Sequence, residues 1–439
     1  MANIKLRGTP AMGMWGATLG FFFGMSAVSL FGPSAARFKE VMDLDPTMVG
    51  LLVAIPSLSG SLLRIPFGAW VDTTGGKKPF MILMVLAVIG IAGLMWLVNS
   101  HYPDHMAGLY PLILLFGLLT GCGVATFSVG IGQTSYWYPQ NKQGFALGTY
   151  GGVGTLAPGL FALLIPIYIQ HFGFASSYVV WTIFLAVGTA LYWLIGRNAY
   201  FFQYRKAGLP VPDSIAQAKA KGQELFPKGS VKQSLVDSAK VPATWYLTIL
   251  YFASFGGFLA LTEWYPSFWH QFYKVSAIEA GVLTATFSML SAIVRVFAGP
   301  LADKLGGVKL CMFSMILLFG SALAMGLVSS FGLSLLCTIL IAVAMGVNDT
   351  AVFKLAPLYI PKAIGGASGW IGGVGAFGGF VIPPVMGAIA TKYGHMGYAW
   401  GFEVFVLLAA INIAVLYFGL MRKNKKGNTP AEDASPTVK

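Results

Sequence analysis

Charged residues are scarce in this sequence, since only 10% of its 439 residues are Asp, Glu, Lys or Arg. Soluble domains contain about 25%, so the composition excludes an ordinary soluble globule. Cysteine is also scarce: Cys122, Cys311 and Cys337 all fall in apolar stretches without a CxxC pair, which argues against a disulfide framework. No P-loop, zinc-ligand spacing or nucleophile elbow occurs, so we expect neither an enzyme nor an ATP-driven pump, with no cofactor and no metal.

Long apolar runs make up most of the chain: hydrophobic residues account for 56% of the sequence, and the mean hydropathy is +0.73. A spanning helix needs roughly 20 mostly apolar residues, and backbone polar groups in lipid must be paired within the helix. We therefore predict an all-α integral membrane protein with twelve transmembrane helices. The predicted spans are 13–32, 47–70, 79–98, 109–138, 143–169, 177–196, 244–270, 277–301, 309–329, 332–360, 364–391 and 397–421.

Basic residues outnumber acidic residues and give a net charge of +13. With twelve spans, most of them fall on one side of the membrane, which indicates that both termini lie in the cytoplasm and that the positive charge fixes orientation rather than binding nucleic acid. We predict an N-terminal six-helix half at 1–196, a cytoplasmic linker at 197–243, a C-terminal half at 244–421 and a disordered tail at 422–439. The linker is expected to be helical around Ile215–Glu224, and the location to be the inner (cytoplasmic) membrane.

Two internal repeats relate the halves. The pattern R-x3-G-x3-D-x2-G-G-x-K begins at Arg64 and again at Arg295, with an offset of 231 residues at every matched position. A second pair, ALGTYGGVGTL at 146–156 and ASGWIGGVGAF at 367–377, has an offset of 221. The halves are therefore predicted to be pseudo-symmetric repeats in parallel orientation, an arrangement typical of secondary transporters with a site near mid-membrane.

The segment GAWVDTTGGKK at 68–78 resembles the loop motif of the major facilitator superfamily, and its echo lies at 299–309. Glycines in such a motif permit close helix approach and turns, and its aspartate can hold the ends of neighbouring helices. We expect a gating and structural role for this motif and for the glycines of the second repeat. The residues are Gly68, Asp72, Gly75, Gly299, Asp303, Gly306, Gly151, Gly152, Gly154, Gly372, Gly373 and Gly375.

The sequence is also similar to the nitrate/nitrite porter family in both halves. The similar segments are AIPSLSGSLLRIPFG at 54–68, YPQNKQGFALGTYGGVG at 138–154, LYFASFGGFLAL at 250–261, VNDTAVFKLAPLYIP at 347–361 and GGVGAFGGFVIP at 372–383. The resemblance implies that Arg64 and Arg295 grip a planar anion, and that Phe127 and Tyr251 pack on it or hydrogen-bond to it. Each arginine lies eight residues inside its motif aspartate, about 12 Å along a helix, which indicates a deep position.

Two positions depart from that family's pattern. Thr155 stands where the family has asparagine, which leaves one hydroxyl donor for the anion, and Asp349 adds a carboxylate. Asp349 is interpreted either as a counter-ion or as a proton site, and Glu263 either as a residue of the outer rim or as part of a proton relay. Lys354 either helps to attract anions or extends to the interface.

We therefore predict a secondary transporter that moves nitrate, nitrite or both by alternating access, through anion exchange or proton symport. The expected partners are these inorganic anions, the lipid bilayer and, for symport, protons, and the expected state is a monomer. One alternative is a transporter of another small anion, such as a mono- or dicarboxylate. A second is a non-transporting anion sensor, which the lack of an appended signalling domain disfavours.

Overall fold

A computed structural model of the protein describes residues 6–139, 142–227, 231–327, 329–360 and 364–422. In these residues the chain forms helices and no strand, and twelve helical segments are long and apolar enough to cross a bilayer. The prediction of an all-α integral membrane protein with twelve spans is thereby confirmed. We number the spans 1 to 12 as follows: Pro10–Met42, Pro46–Thr74, Lys77–His101, Tyr110–Trp137, Phe145–Phe172, Phe174–Ile195, Pro242–Tyr273, Ala277–Gly299, Gly307–Leu327, Phe331–Ala356, Gly366–Trp400 and Glu403–Met421.

Many of the spans are interrupted. In the N-terminal half the α-helices are Pro10–Met25, Ala35–Met42, Pro46–Leu62, Arg64–Thr74, Lys77–His101, Tyr110–Gly121, Thr126–Trp137, Gln143–Gly154, Leu156–Phe172 and Phe174–Ile195. In the C-terminal half they are Pro242–Tyr251, Gly257–Tyr273, Ala277–Leu305, Gly307–Leu327, Phe331–Tyr359, Ile364–Ala376, Gly378–Tyr393, Gly397–Trp400 and Glu403–Ala414. Tight 3₁₀ turns occupy Ser26–Ser29, Gly32–Ser34, Cys122–Ala125 and Gly394–Met396, and wide π turns occupy Phe252–Gly256 and Val415–Met421.

Span 1 is longer than predicted. The predicted span ended at residue 32, but the chain continues through a 3₁₀ turn into the helix Ala35–Met42. Pro33 lies in the first turn of that segment, where its missing N–H leaves no hydrogen bond unmade. The helix ends where Asp43 adopts a left-handed conformation, with φ of 51°.

Contacts divide the chain into two compact units. Unit 1 comprises Met1–Leu30, Ile55–Pro158 and Tyr168–Val231, and unit 2 comprises Phe31–Ala54, Gly159–Ile167 and Lys232–Lys439. The end of span 1, the beginning of span 2 and part of span 5 therefore group with the C-terminal half. The predicted domain boundaries at residues 197 and 243 stay a prediction.

Close approach between the backbones of spans 2 and 11 explains why the beginning of span 2 belongs to unit 2. Thr47 Oγ1 lies 2.8 Å from Thr391 Oγ1, on span 11. A Cβ atom at Gly50 would lie only 2.5 Å from the Pro383 carbonyl oxygen, so only glycine allows the two spans to meet here.

The linker is folded rather than extended. Its helices are Tyr200–Lys206, Val211–Ala220 and Val231–Ala239, so the predicted helix around 215–224 forms slightly earlier in the chain. In unit 1, a buried cluster joins the linker to the end of span 4, and its members are Trp137, Ala199, Phe201, Phe202, Tyr204 and Ala218. In unit 2, Trp370 Nε1 on span 11 donates to the Leu235 carbonyl at 3.0 Å.

Candidate functional site

Arg64 is a fully buried guanidinium in unit 1. It begins the second helix of span 2, directly after the interruption at Leu63, and 0% of its surface is exposed. Its Nε donates to the Gly60 carbonyl at 2.9 Å, and its Cζ lies 4.7 Å from the centre of the Phe127 ring on span 4. A desolvated cation over an aromatic face is stabilised by the ring quadrupole. The structure therefore brings together two residues predicted for the site, Arg64 and Phe127.

The Phe127 ring is held in place by two further aromatic side chains. Phe21 on span 1 lies 5.4 Å from it and Tyr150 on span 5 lies 6.3 Å from it, measured between ring centroids. The Tyr150 hydroxyl donates to the Phe127 carbonyl at 2.9 Å, which fixes span 5 to span 4 at this point. The aromatic wall beside Arg64 is thus built from three spans of one unit.

Arg295 has a related environment in unit 2. It lies within the uninterrupted helix Ala277–Leu305, and its side chain is 17% exposed. Its Nη2 donates to the Tyr251 hydroxyl at 3.4 Å, and its Cζ lies 5.0 Å from the centre of the Phe255 ring. Both aromatic residues belong to span 7 and stack on each other at 5.0 Å with an interplanar angle of 11°. The structure therefore brings together Arg295 and Tyr251, two residues that were predicted for the site.

Asp349 on span 10 lies against the same guanidinium. Its Oδ2 is 3.6 Å from Arg295 Nη1, and the residue is 1% exposed. Within the described residues neither carboxylate oxygen nor Arg295 Nη1 has a hydrogen-bond partner. Charge-assisted hydrogen bonds of this type are about 2.7–2.9 Å long, so the pair attracts through space without a formed hydrogen bond.

Each arginine neighbourhood depends on one glycine of the second repeat. A Cβ atom at Gly154 would lie 1.9 Å from Phe21 Cδ1, and a Cβ atom at Gly375 would lie 2.8 Å from Tyr251 Cδ1. The two glycines are repeat-equivalent, and each lets an aromatic ring from the first span of its half approach the backbone. By contrast, a Cβ atom at Gly151 would meet nothing within 4 Å.

Thr155 is buried at the interruption between the helices Gln143–Gly154 and Leu156–Phe172. Its Oγ1 donates to the Gly151 carbonyl at 2.8 Å and lies 3.2 Å from the Gly152 carbonyl. A threonine hydroxyl has one proton to donate, and here that proton satisfies its own helix.

We expect Thr155→Val to keep anion uptake within about threefold of the unaltered protein, because the hydroxyl proton is used within its own helix and does not bind the anion. Uptake into proteoliposomes over a range of anion concentrations measures the effect. A loss of more than tenfold in affinity, with unchanged insertion, would show instead that the hydroxyl turns towards the anion.

Lys354 does not join the Arg295 neighbourhood. Its Nζ donates to the Ala302 carbonyl at 2.6 Å, near the end of the helix Ala277–Leu305. Ala302 lies seven residues from Arg295, about 10 Å along the helix. The ammonium therefore shares the Ala302 carbonyl with the Gly306 N–H, in the last turn of a helix, where a positive charge is favoured.

The first loop motif, between spans 2 and 3, is fixed from both sides within unit 1. The Tyr136 hydroxyl on span 4 donates to Asp72 Oδ1 at 2.6 Å. Gly75 has φ of +75°, and a Cβ atom there would lie 2.5 Å from Asn198 Cγ, so glycine is required by both conformation and space. Asn198 Oδ1 also accepts from the Lys77 backbone N–H at 2.8 Å.

The second loop motif has fewer described contacts. Gly306 repeats the positive φ of its counterpart, at +83°, and turns the chain between spans 8 and 9. A Cβ atom at Gly68 would lie 3.1 Å from Ser128, whereas one at Gly299 would meet nothing within 4 Å. The side chain of Asp303 lies outside the described residues.

The remaining predicted residues are Glu263 on span 7 and two glycines on span 11. Glu263 is fully buried in span 7, where its carbonyl would be 2.8 Å from a Cβ atom at Gly32. It follows Tyr251 by twelve residues, about 18 Å along a helix. Gly372 and Gly373 lie within the helix Ile364–Ala376. In the part of the chain that the structure describes, no group of three His, Cys, Asp or Glu residues could hold a metal ion.

Three aromatic residues of these neighbourhoods were not predicted: Phe255 beside Arg295, and Phe21 and Tyr150 behind Phe127. The available signal for Phe255 was its spacing of four residues from Tyr251, which places both rings on one face of span 7. With 33 phenylalanines in the chain, that spacing alone did not distinguish Phe255 from residues that face lipid.

Comparison with known proteins agrees with this architecture. The family model described as Major Facilitator Superfamily matches residues 17–282 and 268–439. The "Nitrite extrusion protein" of Bacillus subtilis is 28% identical over 395 residues, covering 90% of each chain. The "Probable nitrate/nitrite antiporter NarK1" of Thermus thermophilus is 28% identical over 434 residues, covering 93% of this chain and 91% of its own.

The fold is shared with a solved transporter of lower sequence similarity. The xylose transporter XylE from E. coli superposes with a TM-score of 0.70 at 14% identity, covering 94% of this chain and 100% of that one. The predicted fold class of two pseudo-symmetric six-helix halves is thereby confirmed. Twelve apolar spans, paired repeats in the two halves and a family model that matches nearly the whole chain show that this multi-pass membrane protein belongs to the Major Facilitator Superfamily.

Proposed function

We propose that the protein transports nitrate, nitrite or both, and that Arg64 and Arg295 bind the transported anion. The similarity to relatives named as nitrite extrusion protein and nitrate/nitrite antiporter supports the choice of anion. The repeated position of one buried or nearly buried arginine in each half supports the choice of residues.

The observation that carries the proposal is the shared chemistry of the two arginine neighbourhoods. Each guanidinium faces an aromatic ring, Phe127 at 4.7 Å and Phe255 at 5.0 Å. An arginine deep in a membrane helix costs at least about 2.5–3.5 kcal/mol on insertion scales, so two at equivalent positions indicate a functional demand. Guanidinium donors form a flat fork that matches a planar oxyanion, which a lysine ammonium does not.

Alternating access of the two halves would move the anion, as is typical of transporters built from repeats. The energy comes from anion exchange or from proton symport, and Asp349 and Glu263 are the candidate residues for coupling. Both termini are assigned to the cytoplasmic side of the inner membrane, because the segments expected there carry most of the lysine and arginine.

We expect nitrate and nitrite each to compete with labelled nitrate for uptake into proteoliposomes, whereas oxalate and chloride should compete at least tenfold less well. Nitrate and nitrite are flat monoanions whose oxygens can meet both guanidinium groups, while oxalate carries a second charge and chloride has no directional acceptors. Protein-free liposomes are the control. Uptake of a carboxylate with no movement of nitrate or nitrite would contradict the proposed substrate.

A further inference from the structure

The carboxylate of Asp349 is the feature of the Arg295 neighbourhood that the proposed function leaves unexplained. A carboxylate that is 1% exposed is costly unless a positive charge accompanies it. Here the positive charge is Arg295, whose Nη1 is 3.6 Å from Asp349 Oδ2. Removing water from an anion site strengthens every charge interaction in it, so this pair must strongly affect how an anion binds.

The contacts that hold Arg295 and Asp349 are long. The Arg295 guanidinium makes a 3.4 Å hydrogen bond to Tyr251 and a 5.0 Å contact with the Phe255 ring. Within the described residues its Nη1 makes no hydrogen bond, and the Asp349 carboxylate faces the Ser254 hydroxyl without a hydrogen bond of ordinary geometry. Arg295 is thus balanced in charge by Asp349 while its Nη1 stays available for a second anion.

The backbone around Asp349 fixes the carboxylate in place. Thr350 Oγ1 donates to the Arg295 carbonyl at 3.0 Å, which ties span 10 to span 8 at this level. Asn348 Nδ2 donates to Ser254 Oγ at 2.9 Å, which ties span 10 to span 7. With both neighbours in sequence anchored, Asp349 cannot move far from Arg295 without a change in the packing of the three spans.

We propose that Asp349 is an internal counter-anion of the transport site, and that it permits the protein to change conformation without a bound anion. The inference rests on the proposed function. Arg295 alone would leave its part of the empty site with an uncompensated positive charge, and moving such a charge through a low-dielectric region is costly. Asp349 balances that charge, so net transport of anion becomes possible in addition to exchange.

The same arrangement predicts that Asp349 and the transported anion compete for the Arg295 guanidinium. Asp349 and the transported anion attract the same guanidinium and repel each other, so the carboxylate weakens anion binding while it assists the return of the empty protein. Replacing Asp349 by asparagine should therefore change two measurements in opposite directions. A variant that is merely damaged would lose both.

The experiment compares net uptake with exchange in proteoliposomes whose membrane potential is held at zero with potassium and valinomycin. Labelled nitrate enters vesicles that contain either no permeant anion, which reports net uptake, or unlabelled nitrate, which reports exchange. For Asp349→Asn we expect net uptake to fall at least tenfold, exchange to stay within about threefold and nitrate binding to tighten at least fivefold. Asp349→Glu, which keeps the charge, should retain net uptake, and Asp104→Asn at an exposed loop position is the matched control.

Several results would contradict the counter-anion role of Asp349. Unchanged net uptake in Asp349→Asn, weaker nitrate binding in that variant, or exchange without net uptake in the unaltered protein would each overturn the counter-anion role alone. An unaltered protein that moves neither nitrate nor nitrite in either mode would overturn the proposed function and this inference with it.

Discussion

Arg64→Lys and Arg295→Lys are each expected to insert normally and to lose most nitrate transport. Nitrate has three coplanar oxygens and one delocalised charge, and it enters a dry site only if donors replace its hydration. Lysine keeps the charge but presents it at the end of a flexible stem without the flat fork. The loss of one charged hydrogen bond, about 1.5–3 kcal/mol, corresponds to a roughly 10- to 150-fold loss of affinity.

The two substitutions should differ in their effect on the resting protein. Arg64 is fully buried, and its Nε donates to the Gly60 carbonyl, so lysine there also loses a structural bond. Arg295 is partly exposed and is held by a long bond to Tyr251 and by Asp349. We therefore expect a lower melting temperature for Arg64→Lys than for Arg295→Lys, although both lose affinity.

Nitrate binding to purified protein and uptake into proteoliposomes, both measured against concentration, check these expectations. Arg205→Lys is the matched control, because Arg205 is exposed in the linker and its Nη1 donates only to the Leu209 carbonyl among the bonds described. Well-folded lysine variants at position 64 or 295 with nearly unaltered affinity would remove the central part of the proposed site.

The fold could be predicted from sequence because its determinants are local and repeated. Apolar runs of span length define the twelve helices, and the constant offset from Arg64 to Arg295 relates the halves without any structure. The interruptions were not predicted, because a break such as the π turn Phe252–Gly256 is set by packing between spans. The extension of span 1 beyond residue 32 was not predicted, although a proline such as Pro33 is compatible with the first turn of a helical segment.

The site could be predicted only in part. The sequence indicated Arg64, Arg295, Phe127 and Tyr251 as residues of one site, and the structure places Phe127 beside Arg64 and Tyr251 beside Arg295. It did not indicate that Lys354 would donate to Ala302, because a lysine stem reaches several acceptors and depth along a helix does not select among them.

The two arginine neighbourhoods are similar without being identical, and the difference has chemical consequences. Arg64 is packed against an aromatic ring from span 4, whereas Arg295 is packed against rings from span 7 and faces a carboxylate from span 10. A repeated backbone therefore carries two unequal guanidinium groups. We expect the Arg295 neighbourhood to determine how anion affinity depends on the charge of the anion, because Asp349 belongs to this neighbourhood.

Substitution of a glycine in the second repeat is the other change for which we expect a large loss of nitrate transport. We expect Gly154→Ala to reduce nitrate transport at least tenfold, because the new methyl group would lie 1.9 Å from Phe21 Cδ1 and would push that ring onto Phe127. Overpacking of this kind costs about 1–3 kcal/mol. Gly375→Ala should have a smaller effect of the same kind, since its methyl group would lie 2.8 Å from Tyr251 Cδ1.

The glycines could instead provide smooth helix surfaces that slide past each other. The variant Gly151→Ala distinguishes this alternative from a role in making room for the Phe21 ring. A methyl group at Gly151 would meet nothing within 4 Å, so we expect transport within about twofold of the unaltered protein. The double variant Phe21→Leu with Gly154→Ala should recover part of the lost transport, because leucine lacks the ring atoms that the methyl group displaces. Strong impairment by Gly151→Ala together with full activity of Gly154→Ala would mean that these glycines act in helix movement and do not position the aromatic wall beside Arg64.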